Sequence, residues 1–286
     1  MGRSDFSPMT RQAAARRRPG TVPPLLPPCA RAPYDSRVIR APIPDLVQEE
    51  RRIEGPIAHY LGRVLRLHTG DTLIAFDPVS GREADALVVR AERGALVLRL
   101  GPVRTGSTRQ GPPITLVQGL AKGDKCDAIV RDATELGATR IVVALTKRSV
   151  VRLDPKNAPA RRARWARIAQ EAARQSGRSD CPRVELAGLW ADAVASVEGE
   201  ASRFCLWERA VDPLGPPLFA ALASGKPLAF ACGPEGGLED DEVEVARACG
   251  WTVASLGPRA LRTETVAAAV LGAVCVWITA SGAADP

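Results

Sequence analysis

The sequence has little of the material from which zinc sites, disulfide frameworks and membrane anchors are built. Its 286 residues include only two histidines, and its seven cysteines are scattered without a C-x-x-C pair. We therefore expect no metal and no disulfide framework, and the reduced thiols of a cytoplasmic protein fit better. No apolar run reaches the roughly 18 residues that a membrane span needs. The run 266–278 predicts a core or interface helix instead, so no membrane partner is expected.

The composition is that of a globular protein with an excess of positive charge. Hydrophobic residues make up 45% of the chain, enough for a sizeable core, and the length favours two domains over one. The net charge of +7 comes from arginine much more than from lysine. This excess fits a polyanionic partner such as RNA. A genome composition that raises the arginine content of proteins would explain it equally well.

The first part of the chain divides into a tail and a small β-rich unit. Residues 1–36 are rich in arginine and proline and have almost nothing to pack, so they predict a disordered tail. Residues 37–104 show short strand patterns at 73–77, 84–90 and 95–100, joined by glycine-containing turns. A helix at 57–66 projects Arg63 and Arg66. This unit has the size of barrel modules that bind nucleic acid or accompany an enzyme.

The second part, residues 113–283, alternates strands with helices. Strands are predicted at 114–119, 140–144, 202–207 and 228–232, and helices at 126–136 and 159–176, the latter rich in arginine. Residues 104–112 read as the linker. Such alternation predicts an α/β domain with a mostly parallel sheet and helices on both faces.

The ligand site is predicted in the stretch from residue 230 to residue 265. A buried strand runs into Gly233-Pro-Glu-Gly-Gly237, and a helix at 239–249 follows. A second strand, 251–256, ends in Gly257-Pro258, and Leu261-Arg-Thr-Glu-Thr265 leads into the last helix. Two strands thus end in glycine-bearing loops beside helix starts, as in α/β nucleotide-type sites. Neither loop is a P-loop or the dinucleotide fingerprint.

Several motifs stand together in one order and resemble one family. They are Glu135-Leu-Gly137, Thr146-Lys-Arg-Ser149, Glu171-Ala-Ala-Arg-Gln-Ser-Gly-Arg178, Gly233-Pro-Glu-Gly-Gly237, Leu256-Gly257 and Leu261-Arg-Thr-Glu-Thr265. Each is weak alone, but the ordered set resembles the RsmE family of 16S ribosomal RNA uridine-N3 methyltransferases, members of the SPOUT superfamily. The resemblance runs from about residue 37 to residue 278.

The resemblance implies a fold, a cofactor and partners. The fold is a SPOUT-type α/β domain with a trefoil knot, preceded by a PUA-like β-barrel. The activity is S-adenosylmethionine-dependent methylation of uridine N3, in free 16S ribosomal RNA or in the assembled 30S subunit, by a cytoplasmic homodimer with helix 265–278 among its packing elements. The implied cofactor-binding residues are Gly233, Pro234, Glu235, Gly236, Gly237, Leu256, Gly257, Leu261, Arg262, Thr263 and Glu264.

The chemistry of uridine methylation selects candidate catalytic residues. Uridine N3 carries a proton, so a general base or a donor that stabilises the developing oxyanion is needed. Glu235 and Glu264 are candidates for the proton, and Arg262 for the anion. The alternatives are that Glu235 only braces its loop and that Glu264 caps the helix beside it.

Basic and polar residues near the predicted strand ends are candidate RNA contacts. They are Arg63, Arg66, Lys122, Lys125, Lys147, Arg148, Arg152, Gln175 and Arg178. Each alone could be a solvated surface group, and their clustering favours RNA. Two other functions remain open: a SPOUT enzyme acting on a ribose 2′-hydroxyl or another base, and a non-catalytic RNA-binding assembly factor.

Overall fold

A computed structural model of the chain describes residues 38–106, 111–150, 154 and 156–281. The predicted tail, part of the linker and the predicted RNA contact Arg152 lie outside the described residues. The described residues belong to one compact unit that contains two sheets. One apolar core packs on the N-terminal sheet, and two apolar cores pack on the C-terminal sheet.

The N-terminal β-domain is built on a six-stranded sheet with the order β1-β3-β4-β5-β2, in which β6 also pairs with β4. Its strands are β1 (Arg40–Pro42), β2 (Glu50–Glu54), β3 (Thr72–Phe76), β4 (Arg82–Glu92), β5 (Ala95–Leu100) and β6 (Arg104–Thr105). The three strands predicted from sequence, β3 to β5, are confirmed. The sequence did not predict β2, since only Ile53 in it is buried and its other side chains are charged.

A helical segment between β2 and β3 covers this sheet. Helix α1 (Gly55–His59) begins with Pro56 in its first turn, where a missing N–H costs nothing. It continues as a π-helical turn, Tyr60–Val64, and the buried Leu61 packs into the core. The helix predicted at 57–66 therefore exists, but it ends before Arg66, which adopts a φ of +56°. Arg63 and Arg66 are exposed.

The C-terminal domain has a six-stranded sheet whose strand pairs are all parallel, with the order β12-β10-β11-β7-β8-β9. The strands are β7 (Ile114–Gly119), β8 (Arg140–Leu145), β9 (Arg183–Leu189), β10 (Ser202–Leu206), β11 (Leu228–Cys232) and β12 (Thr252–Ala254). Every residue of the central strand β11 is buried, as expected for a sheet covered on both faces. The predicted α/β fold is confirmed, whereas the trefoil knot stays a prediction.

Helices cover both faces of this sheet. They are α2 (Lys125–Glu135), α3 (Ala158–Ser176), α4 (Trp190–Ala195), α5 (Gly215–Ser224), α6 (Asp240–Ala248) and α7 (Thr263–Ala280). One core cluster joins Leu116 and Phe230 to side chains of α2, α3, α5 and α7. The other joins Val117 and Ala231 to side chains of α4 and α6. Successive side chains along β7 and β11 point to opposite faces of the sheet, so these two strands contribute to both cores.

Helix α7 is longer than the sequence indicated, because it begins at Thr263 and ends at Ala280. By length and composition alone, this one described helix could cross a membrane. Its buried side chains, however, belong to the core of the α/β domain: Ala267, Val270, Leu271, Val274 and Ile278. We therefore identify α7 as a core helix.

The six cysteines in the described part of the chain are free thiols. Burial raises the pKa of Cys126 to about 11 and the pKa values of Cys181 and Cys205 to about 12. A thiol reacts as its thiolate, so these three cysteines are structural and chemically inert at neutral pH.

A buried ion pair joins the two domains. Arg40 of β1 donates to Glu83 of β4 over 3.0 Å and to Ser179, which follows α3, over 2.7 Å. The Ser179 hydroxyl in turn donates to Glu83 over 2.7 Å. Burial alone would raise the pKa of Glu83, but the hydrogen bonds from Ser179 and Arg40 outweigh it and lower the pKa. Glu83 is thus held as a carboxylate between the two sheets.

We predict that Glu83→Ala lowers the free energy of unfolding by about 3 kcal/mol at neutral pH, since it leaves Arg40 buried without its counter-ion. Because the folded-state pKa of Glu83 is lowered, this contribution is present above the ordinary carboxyl pKa and is lost as the pH falls through the lower folded value. Denaturant titrations of wild type and variant at several pH values measure it. The control is Glu50→Ala, which removes an exposed partner of Arg99 and should cost less than about 1 kcal/mol. Equal losses in both variants would contradict the buried-pair account.

Candidate active site

A cleft of about 460 Å³ lies at the carboxyl edge of the parallel sheet. Three chain segments that follow β10, β11 and β12 line it, and Lys125 of α2 closes one side. Its lining residues are Leu206, Trp207, Glu208, Cys232 to Gly237, Ser255 to Gly257, Arg259 to Thr263, and Val266. The volume falls in the range of small-molecule sites, and the edge is where open α/β sheets bind ligands.

The loop 233–237 depends on its glycines for close packing. Gly237 has a φ of +74°, and a Cβ there would lie 2.6 Å from a carboxylate oxygen of Glu208. A Cβ on Gly236 would lie 2.9 Å from the Cβ of Arg148. Both positions therefore exclude larger side chains, and the backbone of this loop forms the floor of the cleft.

Arg148 braces this loop from outside. Its Nε donates to Glu239 over 2.7 Å, and its guanidinium also donates to the carbonyl of Gly236 over 2.7 Å. We predicted Arg148 as an RNA contact, but in the structure two of its donors bind the cleft loop and the start of α6.

Glu235 is held on two sides. Its carboxylate accepts a hydrogen bond from the backbone N–H of Lys122 over 3.2 Å, and the amine of Lys125 lies 3.1 Å away. Burial raises the pKa of Glu235, but the backbone hydrogen bonds and the hydrogen bond from Lys125 outweigh it, so the pKa is lowered. A carboxylate held in this way binds a proton poorly. The bracing alternative therefore fits Glu235 better than a role as base.

Glu264 has a different environment although it lies beside the same lysine. Its Oε2 is 3.8 Å from the amine of Lys125, which is an ion pair too long for a hydrogen bond. That oxygen is buried and has no hydrogen-bond partner among the described residues. The N-cap of α7 is Arg262 and no side chain caps the helix, so the capping alternative for Glu264 is wrong.

The cleft brings most of the predicted cofactor-binding residues together. All of them line it except Glu264, which reaches it through Lys125. Of the predicted catalytic residues, Glu235 and Arg262 line the cleft directly.

Sequence reasoning missed the segment after β10. Trp207 lines the cleft, and the guanidinium of Arg209 stacks over its ring at 4.5 Å. Glu208 and the cationic Arg259 also line the cleft. The available signal was the predicted strand at 202–207, because the carboxyl ends of parallel strands share one edge of the sheet.

The predicted RNA contacts do not form one group. Lys125 lies inside the cleft, Lys147 pairs with Asp241 of α6, and Lys122 is exposed near Glu235. Arg63 and Arg66 are exposed on the β-domain, and Gln175 is exposed near the end of α3.

Arg178 is the clearest correction. Its side chain is buried, with 6% of the residue exposed. The guanidinium donates to the carbonyl of Ala138 over 3.1 Å, to the carbonyl of Thr134, and to both oxygens of Asp180. The motif that contains Arg178 therefore ties the end of α3 to the end of α2. We predicted Arg178 to be exposed because it is a charged residue in a loop. The sequence does not indicate that the carbonyls of Thr134 and Ala138 surround it.

Comparisons with known proteins agree with this geometry. A family model described as an RNA methyltransferase domain matches residues 109–275, and one described as an RNA methyltransferase PUA domain matches residues 53–101. The ribosomal RNA small subunit methyltransferase E of Bacillus subtilis is 34% identical over 230 residues, which cover 78% of this chain and 88% of that protein. The protein of the same name from Mycobacterium bovis is 33% identical over 234 residues, covering 78% and 85%.

A solved structure is similar over both domains. It is the ribosomal RNA small subunit methyltransferase E from Neisseria gonorrhoeae, crystallised with S-adenosyl methionine. The similarity has a TM-score of 0.73 at 26% identity and covers 84% of this chain and 98% of that one.

We predict that Arg178→Met lowers the free energy of unfolding by about 3 kcal/mol, because it leaves Asp180 without its partner and two carbonyls without donors. RNA affinity and its salt dependence should stay at wild-type values in the folded fraction. Thermal unfolding and filter binding at several salt concentrations measure both. Arg162→Met, on the exposed side of α3, is the matched control for stability. Normal stability with a reduced salt slope in Arg178→Met would restore the RNA-contact interpretation.

Proposed function

The chain belongs to the ribosomal RNA small subunit methyltransferase E family, and we propose that it transfers a methyl group from S-adenosylmethionine to N3 of a uridine in 16S ribosomal RNA. The observation that carries the proposal is the cleft between the loops 233–237 and 256–262, which lies at the carboxyl edge of the parallel sheet. Glu235 lines this cleft and Glu264 lies beside it, next to Lys125, and the two carboxylates have different environments. The family relationship supports the reaction, and the cleft supports the assignment of residues.

The residues present fit the cofactor. The cleft volume suits a ligand of this size, and the glycine-bearing floor lets a flat group approach the backbone. Leu206, Leu256, Leu261 and Val266 supply apolar contacts for an adenine ring, and Glu208 supplies negative charge for a cationic ligand. When bound, S-adenosylmethionine would supply an electrophilic methyl group on its sulfonium.

Glu264 is the residue that we assign to the proton on uridine N3. This nitrogen is a poor nucleophile until its proton is lost, so an available acceptor must lie at the cleft. Glu264 lies next to the cleft residue Lys125 and offers an oxygen without a hydrogen-bond donor, whereas both sides of Glu235 are engaged. Glu235 then fixes the loop, and Glu264 receives the proton.

The two arginines of the second loop have a complementary role. Arg259 and Arg262 line the cleft and are exposed. A guanidinium placed there stabilises the negative charge that develops on the uracil oxygens as the proton leaves. Positioning of donor and acceptor supplies much of the remaining rate.

Exposed arginines on both domains support ribosomal RNA as the partner. Arg63 and Arg66 project from the β-domain, and Arg162 and Arg167 are exposed on α3. Guanidinium groups bind phosphates, so this distribution suits a large folded RNA, either free or in the 30S subunit. Ribosome assembly places such an enzyme in the cytoplasm.

A second copy of the chain is the partner that we propose for α7. Besides its buried side, this helix carries exposed small and apolar side chains: Ala269, Ala273 and Val276, the last 69% exposed. Phe219 of α5, also exposed, stacks on Trp277 with ring centroids 5.2 Å apart. An exposed apolar surface of this kind suits a homodimer.

The methylated nucleotide tests the proposal directly. We expect the purified protein, given 30S subunits from a strain lacking the corresponding enzyme and methyl-labelled S-adenosylmethionine, to produce 3-methyluridine in 16S ribosomal RNA. Mass spectrometry of digested nucleosides identifies the product. A 2′-O-methyl nucleoside or another methylated base would assign a different reaction to the same cleft. RNA binding without methyl transfer would identify a non-catalytic assembly factor.

We predict that Glu264→Gln and Glu235→Gln have different effects. Loss of a general base lowers the rate of methyl transfer by roughly 100-fold or more, so Glu264→Gln should lower kcat while cofactor affinity remains near wild type. Glu235→Gln should weaken cofactor binding and retain most of kcat at saturation, because it loosens the loop. Single-turnover methylation and calorimetry separate the two effects. The reverse pattern would exchange the two roles.

A further inference from the structure

Gln118, near the carboxyl end of β7, has the most enclosed polar side chain near the cleft. The residue is fully buried. Its Nε2 donates to the carbonyl of Gly119 over 3.0 Å, to the carbonyl of Gly233 over 3.1 Å and to the hydroxyl of Thr263 over 2.9 Å. Gly233 begins the first cleft loop, and Thr263 begins α7 where the second cleft loop ends. One amide thus touches both loops.

The chemistry of the neighbours fixes the orientation of this amide. The carbonyls of Gly119 and Gly233 only accept hydrogen bonds, so the nitrogen of Gln118 must face them. The Thr263 hydroxyl donates to Gly233 over 2.7 Å and is therefore free to accept from Gln118. Gln118, Gly233 and Thr263 form a closed hydrogen-bonded triangle.

The oxygen of the same amide shows that the side chain acts here as a hydrogen-bond donor and not as an acceptor. Gln118 Oε1 is buried and has no hydrogen-bond partner among the described residues. An unpaired buried acceptor costs about 1–3 kcal/mol. A leucine of similar size would avoid that cost, so the position uses glutamine for its donor.

The next residue brings the first loop onto the same strand. A Cβ on Gly119 would lie 2.5 Å from the Cδ of Pro234 and 2.7 Å from its nitrogen. The loop backbone therefore rests directly on the end of β7. The residues that follow continue the attachment, since the N–H of Lys122 and the amine of Lys125 hold Glu235.

We propose that Gln118 is a positioning residue of the methyltransferase cleft: its side-chain amide fixes the start of loop 233–237 against the start of α7, and so sets the width of the cofactor site. Gly233 and Thr263 are 30 positions apart in the sequence. The inference rests on the proposed function only in identifying the cleft as the cofactor site.

The test compares wild type with Gln118→Leu in the full-length protein. Calorimetric titration with S-adenosylmethionine should show affinity at least about tenfold weaker in the variant, the size expected for the loss of one buried hydrogen bond. Hydrogen exchange of the free protein should show faster exchange of amides in 233–237 and 261–264, with β7 and β11 unchanged. Gln170→Leu, at an exposed position on α3, is the matched control and should leave both measurements unchanged.

Thr263→Val gives a second route to the same hydrogen-bonded triangle. The valine keeps the shape of threonine without its hydroxyl, and it should weaken cofactor binding as Gln118→Leu does. The double variant should bind no more weakly than the weaker single variant, because both changes remove one linkage. Additive losses, or wild-type affinity and loop exchange in Gln118→Leu, would overturn the inference. Absence of binding in wild type would count against the cofactor assignment, and the exchange measurement would then decide the role of Gln118 by itself.

Discussion

The cleft depends on one constraint: two loops that are distant in sequence must be held at the carboxyl end of the same central strand, β7. The segment from Gln118 to Lys125 meets this constraint with three attachments. A buried amide joins the start of the first loop to the start of α7, the Lys122 N–H holds Glu235, and the Lys125 amine lies between Glu235 and Glu264. In the sheet, β7 lies beside β11. The loop that follows β11 therefore lies next to the segment from Gln118 to Lys125 that follows β7.

The same arrangement separates two carboxylates by environment. Glu235 accepts hydrogen bonds that favour its charged form and lower its pKa, so it stays a structural anion. Glu264 keeps a buried oxygen without a hydrogen-bond donor, and for this reason we propose it as the acceptor of the substrate proton. The amine of Lys125 lies 3.1 Å from the carboxylate of Glu235 and 3.8 Å from that of Glu264. One lysine thus lies between two acids whose hydrogen-bond environments differ, which composition and spacing could not reveal.

Local patterns predicted much of this fold. Continuous apolar runs gave β7 and β11 their observed bounds, and the glycines after β11 and β12 identified both cleft loops, because buried parallel strands and glycine turns leave direct marks in sequence. Properties that need distant neighbours were missed. Arg178 looks like a surface arginine until the carbonyls of Thr134 and Ala138 surround it. Gln118 is a polar residue in a mostly apolar strand, and the two partners that join the loops, Gly233 and Thr263, lie more than a hundred positions away.

The most direct measurement is a crystal structure of the protein with S-adenosylmethionine. The account predicts that the cofactor lies between loops 233–237 and 256–262, with Glu264 facing the methyl group's side of the cleft and the hydrogen bonds of Gln118 intact. A cofactor bound elsewhere on the protein would contradict the claim that these two loops form the active site. So would a cofactor bound with the Gln118 amide turned away from Gly233 and Thr263.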